Sequence, residues 1–167
     1  RLLTINFEQE KQDPFKVVSV EGGLLVQDED TYGFKDADVK VVTDREPTEE
    51  EWKALKLGWA VVKHVKSNAI VVNDTQMTLG IGAGQMSRID STNIAKTKAK
   101  KHGLSLKGCV MASEAFFPFR DNIDLAKKIG VSSIIQPGGS IKDKEIISIT
   151  DKHGISMVLS GVRVFKH

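Results

Sequence analysis

The sequence predicts a layered α/β fold built on a mixed β-sheet. In the second half of the chain, short apolar segments alternate with helix-forming segments, which is typical of parallel strands joined by crossover helices. Before them, residues 69–73 and 77–82 are apolar and are separated by the tight turn 74–76, which indicates an antiparallel hairpin. Parallel and antiparallel pairs in one chain predict a mixed sheet.

Composition limits the class of protein. The chain has 167 residues, 40% hydrophobic and 28% charged, which suits one soluble domain with a sizeable core. A net charge of +2 gives no reason to expect nucleic acid or an anionic membrane as a partner. The single cysteine, Cys109, excludes an internal disulfide and a multi-cysteine zinc site. No apolar run reaches the ~18 residues of a membrane span and no signal peptide is visible, so we expect a cytoplasmic protein.

The beginning of the chain is the least regular part. Residues 1–20 are interpreted as a lead-in segment before the main domain, 21–167, and short strands are expected at 17–20, 22–27 and 39–43. Because the chain starts with Arg1 and not Met, we expect it either to begin inside a larger reading frame or to have been trimmed.

The first helix that the sequence predicts starts at Thr48. Thr48 and Glu51 have the spacing of a capping box, and an apolar stripe follows at Trp52, Leu55, Trp59 and Val62. The helix is expected to end near residue 66. The two tryptophans are interpreted as core residues of this face.

The remaining elements follow from periodicity and from glycine stops. We expect helices at 87–102, 122–128 and 143–153, ending before Gly103, Gly130 and Gly154, and strands at 109–112, 132–136 and 155–160. The lysines of the first of these helices, at 96, 98, 100 and 101, are interpreted as a solvated face.

An unusual aromatic segment joins one strand to the next helix. Residues 111–122 read Met-Ala-Ser-Glu-Ala-Phe-Phe-Pro-Phe-Arg-Asp-Asn, with three of the chain's seven phenylalanines around Pro118. Proline disfavours a core strand, so the segment is placed at a strand exit and a helix entry. That is where open α/β sheets bind ligands.

Two glycine-rich loops have the same position between a strand and a helix. Residues 80–88 contain three glycines but no Gly-Lys-Ser/Thr, and Ser87 occupies the last glycine position of the dinucleotide fingerprint. A tight turn explains this loop, and the loop at 136–140, as well as an anion site does. If the strands are parallel, both loops and the aromatic segment meet at one sheet edge and form a small-molecule pocket. Candidate anion contacts there are Arg88, Arg120 and Arg163.

Five segments in this order resemble one family. They are Lys66–Ala69, Gly80–Arg88, Val110–Asn122, Gln136–Ile141 and Arg163–His167. The chain resembles the C-terminal part of the bifunctional purine biosynthesis protein, in which an aminoimidazole carboxamide ribonucleotide transformylase is joined to an inosine monophosphate cyclohydrolase. The transformylase moves a formyl group from formyl-tetrahydrofolate to the exocyclic amine of the nucleotide.

The resemblance implies a three-layer α/β/α, cytidine-deaminase-like fold without a catalytic zinc, of which this chain would be the second subdomain. It also implies a homodimer with active sites at the subunit interface. The residues implied to contact the nucleotide are Asn68, Phe116, Arg163, Phe165 and His167. Those implied on the folate side are Arg88, Ile89, Pro118, Phe119 and Asp121.

Two departures from the family pattern stand out. Glu114 occupies a position where many members have Asp. That position is linked to a structural potassium ion, and the side chain of Glu114 is one methylene group longer than that of the usual Asp. The catalytic Lys-His pair belongs to the upstream subdomain, and none of the Lys-His pairs here has that context. The resemblance therefore implies that this chain supplies binding walls without catalytic residues. The alternative is a nucleotide- or folate-binding module that does not catalyse.

Overall fold

The computed structural model describes residues 4, 15–28, 32–34 and 38–166. The chain forms two compact units, residues 1–32 and 33–167. In the first, strands β1 (Phe15–Val20) and β2 (Gly23–Asp28) pair antiparallel across a two-residue turn. Both strands therefore belong to the first unit. His167 lies outside the described residues.

The second unit holds a six-stranded mixed sheet, which confirms the α/β class with a mixed sheet. The strand order is β3-β8-β7-β6-β4-β5. Strands β6, β7 and β8 are parallel, whereas β4 runs antiparallel to both β5 and β6, and β3 antiparallel to β8. In chain order the elements are β3 (Lys40–Val41), α1 (Glu49–Val62), β4 (Ile70–Asn73), β5 (Thr78–Gly82), α2 (Arg88–Lys101), β6 (Val110–Ser113), α3 (Asp121–Ile129), β7 (Ser133–Gln136), α4 (Asp143–Lys152) and β8 (Ser156–Leu159).

Helices cover both faces of this sheet, so the unit has three layers. Successive strand residues point to opposite faces. Thus Val71 and Ala112 pack with Trp59 of α1, whereas Ile70 and Met111 belong to the core beneath the other helices. Each central strand is buried at all four positions, as expected for a sheet covered on both sides.

The helix termini follow the expected signals, with one difference. The capping box is present at Thr48 and Glu51, Ser87 caps α2, and Gly130 ends α3 in the left-handed conformation. Helix α1 ends at Val62 and not near residue 66, because the following amides of His64 and Val65 donate three residues back and tighten the chain into turns. His153 is the C-cap of α4.

Two glycines of the first glycine-rich segment allow close packing of α2 on β5. A Cβ at Gly80 would overlap the carbonyl of Ala95, and one at Gly82 would overlap the carbonyl of Ser91. Only Gly84, with φ of +66°, is required for a turn. Helix packing therefore explains the first two glycines without a bound anion.

Among the described residues, no helix has both the length and the apolar character needed to cross a lipid bilayer.

Candidate functional site

One edge of the large sheet collects the segments that the sequence analysis singled out. Ile70, at the start of β4, pairs with Ser113 at the end of β6 and with Gly82 at the end of β5. Since β7 and β8 run parallel to β6, their carboxyl ends reach the same edge. Both glycine loops and the aromatic segment therefore leave the sheet on one side, as predicted.

The three phenylalanines of the aromatic segment have different environments. Phe117 is fully buried in the core, and its amide donates to Oε1 of the buried Gln136 at 3.1 Å. Phe116 is half-buried and Phe119 is 56% exposed. Because Phe117 is fixed in the core, Phe116 and Phe119 lie at the surface of the site, where both contribute to the lining of a cavity.

The first cavity, here called the Asp121 cavity, has a volume of about 210 Å³. It lies between the loop after β5 and the start of α3. Its lining includes Asn68, Arg88, Ile89, Pro118, Phe119 and Asp121. Asp121 Oδ1 accepts from the amide of Asn122 and from its side chain, so the carboxylate is held at the N-terminus of α3.

The second cavity, here called the Arg163 cavity, has a volume of about 430 Å³. It lies between the aromatic segment, the loop after β7 and the C-terminal segment. Its lining includes Phe116, Pro118, Phe119, Gly139, Lys142 and Arg163. The Arg163 guanidinium carbon lies 4.8 Å from the Phe116 ring centroid, and Lys142 Nζ lies 4.4 Å from that of Phe119.

Pro118 and Phe119 line both cavities and therefore form their common wall. The wall is rigid on one side because Pro118 has a fixed φ and follows the buried Phe117. The two cavities can hold two ligands, or two parts of one ligand, in contact with the same two residues.

Arg88 makes a buried ion pair behind the Asp121 cavity. Its Nη2 lies 3.1 Å from Glu114 Oε1, and the two side chains are 11% and 0% exposed. Burial lowers the pKa of Arg88, and the Glu114 carboxylate only partly offsets that effect. Glu114 Oε1 also accepts from the amide of Ala69 at 3.0 Å, so this carboxylate links α2, β4 and the exit of β6.

Two buried oxygen atoms near this ion pair have no hydrogen-bond partner. They are Glu114 Oε2 and Ser67 Oγ, and Ser67 lies two residues before Ala69, whose amide binds the other oxygen of Glu114. Unpaired buried acceptors are costly, so a water molecule or a cation fits here. Within the described part of the chain, no group of three or more His, Cys, Asp or Glu side chains could hold a metal ion.

The C-terminal segment closes the edge of the site. The amide of Val164 donates to the Glu114 carbonyl at 3.1 Å, and the amide of Ser67 donates to the Lys166 carbonyl at 2.9 Å. These bonds hold Arg163 against the aromatic segment, although the two positions are far apart in sequence.

The residues expected to contact the nucleotide are divided between the two cavities. Asn68, expected on the nucleotide side, lines the Asp121 cavity together with Arg88, Ile89 and Asp121. Its Nδ2 donates to the Gln85 carbonyl at 3.0 Å. Phe116 and Arg163 line the other cavity.

Two of the candidate residues, Phe165 and Arg120, line neither cavity. Phe165 is 42% exposed and lines neither cavity, and His167 lies outside the described residues. Arg120, a candidate anion contact, instead forms an exposed ion pair with Asp124 one helical turn away, at 2.9 Å. Arg120 is the N-cap of α3, so its side chain reaches Asp124 on the first turn of that helix and not the cavities.

Sequence reasoning missed Lys142 and Ser67. Lys142 follows the Pro-Gly-Gly-Ser loop by two positions, and a basic residue there was the only signal that it reaches the site. Ser67 lies in the Lys-Ser-Asn-Ala segment that was noticed for its neighbour Asn68.

Comparison with known families now defines the class of protein. The family model for the AICARFT/IMPCHase bienzyme matches residues 1–98. The chain is 62% identical over 167 residues to the bifunctional purine biosynthesis protein PurH of Lysinibacillus sphaericus, and 58% identical to PurH of Halalkalibacterium halodurans. In both cases the match covers all of this chain and 32% of the relative. The chain therefore belongs to the AICARFT/IMPCHase bienzyme family, and it spans about a third of the length of these curated relatives.

The similar solved structures are more distant. A dCMP deaminase from the cyanophage S-TIM5 has a TM-score of 0.46 and 14% identity, and covers 67% of this chain and 98% of its own. A diaminohydroxyphosphoribosylaminopyrimidine deaminase/5-amino-6-(5-phosphoribosylamino)uracil reductase from Thermotoga maritima has a TM-score of 0.40 and 18% identity, with 68% of this chain and 35% of that one covered.

Proposed function

We propose that this chain is the second subdomain of the transformylase part of the bienzyme and acts in purine biosynthesis. In this role it binds aminoimidazole carboxamide ribonucleotide and formyl-tetrahydrofolate, and the parent enzyme transfers the formyl group between them. The family description names two activities, and the site favours this one because it offers space for two substrates side by side.

The observation that carries the proposal is the shared wall of the two cavities. Phe119 lines both cavities, and a flat aromatic ring suits stacking against a pterin or a nucleotide base. Formyl transfer requires that two substrates meet with the amine directed at the formyl carbon. Two adjacent cavities with one common wall meet that requirement.

The residues of the Asp121 cavity suit a neutral ligand rich in hydrogen-bond donors. Its arginine is already paired with Glu114, and its remaining charge is the Asp121 carboxylate, which can accept from the amino and ring N–H groups of a pterin. Ile89 and Pro118 supply an apolar surface. The Arg163 cavity, with its guanidinium over Phe116, suits the phosphate and base of a nucleotide.

In the reaction a C–N bond forms between the nucleotide amine and the formyl carbon, the bond from that carbon to the folate nitrogen breaks, and a proton passes from the amine to the folate nitrogen that leaves. This chain's side chains would hold the two substrates and exclude water. The proton acceptor is expected in the upstream Lys-His subdomain, which we propose as an intramolecular partner, with a homodimer as the assembled form and the cytoplasm as its location.

A structural potassium ion is part of the same proposal. Glu114 Oε2 and Ser67 Oγ are buried oxygen acceptors without partners, which fits a cation held partly by backbone carbonyls. Such an ion would add positive charge next to the segment that carries Phe116. Glu114 would then act as a ligand through one oxygen and position Arg88 through the other.

Formyl-transfer assays on two proteins test the function. The chain alone is expected to show no formyl transfer, whereas the full-length bienzyme carrying it is expected to be active. In the full-length protein, Phe119→Ala should raise the KM for the folate substrate. Normal transfer by the isolated chain, or an unchanged folate KM in the variant, would contradict the proposal.

The alternative function, binding without catalysis, predicts a different result. A full-length protein that binds both ligands but transfers no formyl group, even with potassium present, would favour it.

A further inference from the structure

The two cavities differ in charge. The described residues that line the Arg163 cavity include two cations, Lys142 and Arg163, and no carboxylate. The Asp121 cavity instead combines Asp121 with an arginine that Glu114 already neutralises. Anionic groups of a ligand are therefore attracted to the first cavity and not to the second.

In the described part of the chain, neither cation of the Arg163 cavity forms an ion pair with a carboxylate. The ion pairs formed among the described residues involve other side chains, so both cations keep their donors for a ligand. Each instead lies over an aromatic ring, Arg163 over Phe116 and Lys142 over Phe119. A ring face attracts a cation without a conventional hydrogen-bond acceptor, so N–H groups of the cation can still donate to an anion.

The backbone around Lys142 is held in place by the loop before it. The amide of Gly139 donates to Asp143 Oδ2 at 2.7 Å, and the amide of Lys142 donates to Ser140 Oγ at 3.1 Å. Gly138 and Gly139 both have positive φ, at +74° and +91°. These contacts define the position of Lys142 at the rim of the cavity and limit its movement to the side chain.

We propose that Lys142, stacked on Phe119, is an anion subsite that binds the carboxylates of the glutamyl tail of the folate substrate. The inference rests on the proposed function and names a binding residue within it. One ligand phosphate is suited to Arg163, whose planar guanidinium gives paired hydrogen bonds. The flexible ammonium group of Lys142 is then available for a second anion. It lies over the Phe119 ring, which also lines the proposed pterin cavity.

The source of the anion is either the folate tail or the nucleotide phosphate, and kinetics separate the two. The experiment uses the full-length bienzyme with Lys142→Met, Lys142→Arg and the control Lys144→Met. Lys144 is exposed on the same helix and does not line the cavity. The substrates are 10-formyl-tetrahydrofolate with one and with three glutamyl residues, and the ribonucleotide.

We expect Lys142→Met to raise the KM for the triglutamate by about 3- to 10-fold, and that for the monoglutamate by less, because a partly exposed charged contact is lost. Lys142→Arg should retain most of the affinity, and Lys144→Met should match the wild type. The preference for the triglutamate should also fall at high salt.

Three outcomes would overturn the subsite. They are an unchanged folate KM in Lys142→Met, an equal rise for both folates, and a rise confined to the nucleotide KM, which would assign Lys142 to the phosphate. In all three the wild type remains an active transformylase, so only the subsite fails. A wild type that transfers no formyl group would instead overturn the proposed function and the subsite with it.

Discussion

The guanidinium carbon of Arg163 lies 4.8 Å from the centre of the Phe116 ring, although the two residues come from different strand exits. Two backbone contacts produce this arrangement, since Val164 is bonded to Glu114 and Phe117 to Gln136. The ring supports the guanidinium from one face and leaves its in-plane donors for a phosphate. The pair is therefore the part of the site that we expect to dominate nucleotide affinity.

Replacing Arg163 by Ala in the full-length bienzyme should raise the nucleotide KM by roughly 10- to 100-fold, because charge-assisted hydrogen bonds contribute about 1.5–3 kcal/mol. Arg163→Lys should recover only part of this, since an ammonium cannot bind a phosphate through two parallel bonds. Steady-state kinetics with the nucleotide varied provide the measurement. An unchanged KM in Arg163→Ala would remove this residue from the site.

Replacing Glu114 by Gln should destabilise the folded chain by about 3–5 kcal/mol, because it leaves the buried Arg88 charge without a counter-ion. Urea unfolding measures the change. The matched control is Glu50→Gln, in an ion pair whose side chains are 63% and 67% exposed, where we expect a loss below about 1 kcal/mol. Equal losses of unfolding free energy in the two variants would show that the buried Arg88–Glu114 pair contributes no more to stability than an exposed ion pair.

Glu51 should make stability depend on acid pH. Burial raises its pKa, but hydrogen bonds from Arg45 and from the Thr48 amide, together with the Arg45 charge, more than offset this, so the pKa is lowered from 4.5. A lowered carboxyl pKa stabilises the fold above the unfolded value and the contribution is lost as pH falls through the folded value. Glu51→Gln should therefore cost about 1–2 kcal/mol at pH 7 and progressively less below pH ~4.5.

The variant keeps the capping-box geometry, since Gln can also occupy that position, so the comparison isolates the charge. Unfolding free energies at several pH values between 3 and 7 provide the test. A difference between wild type and Glu51→Gln that stays constant with pH would contradict it.

Gly82→Ala should destabilise the protein by roughly 1–3 kcal/mol or more, because the added methyl group would overlap the carbonyl of Ser91 in the helix packed above it. Gly23→Ala is the control, since nothing lies within 4 Å of the position that its Cβ would take. Thermal unfolding of the two variants compares them. If ligand binding were lost in Gly82→Ala without loss of stability, the glycine would have a role at the ligand and not in packing.

Much of the fold was readable from local patterns. The hairpin of β4 and β5, the capping box at Thr48 and the stop at Gly130 depend on neighbouring residues, so the sequence indicates them directly. The sequence predicts an end of α1 near residue 66, whereas the helix ends at Val62. The residues in which the chain tightens into turns have no composition that distinguishes them from a helix. The common edge of the sheet also followed from sequence, once the strands at 109–112, 132–136 and 155–160 were taken as parallel.

The residues that meet at the site were less predictable. The aromatic segment suggested one surface, but the structure buries Phe117 and separates two cavities by Phe119. Similarly, the sequence suggests Arg88 as a contact for an anionic ligand, but the structure pairs it with Glu114. This ion pair depends on the contact between α2 and the exit of β6, which the sequence does not indicate.

The sequence by itself determined the periodicity of each element, the mixed character of the sheet and the position of the candidate ligand-binding edge, because all three depend on local spacing of apolar residues, glycines and proline. Only the tertiary structure decided how charge is distributed at that edge. The pairing of Arg88 with Glu114, and the separate placement of Lys142 and Arg163 over two rings, involve residues brought together from distant strand exits. Coulomb and hydrogen-bond interactions act over a few ångströms of space and not along the chain, so their outcome depends on packing.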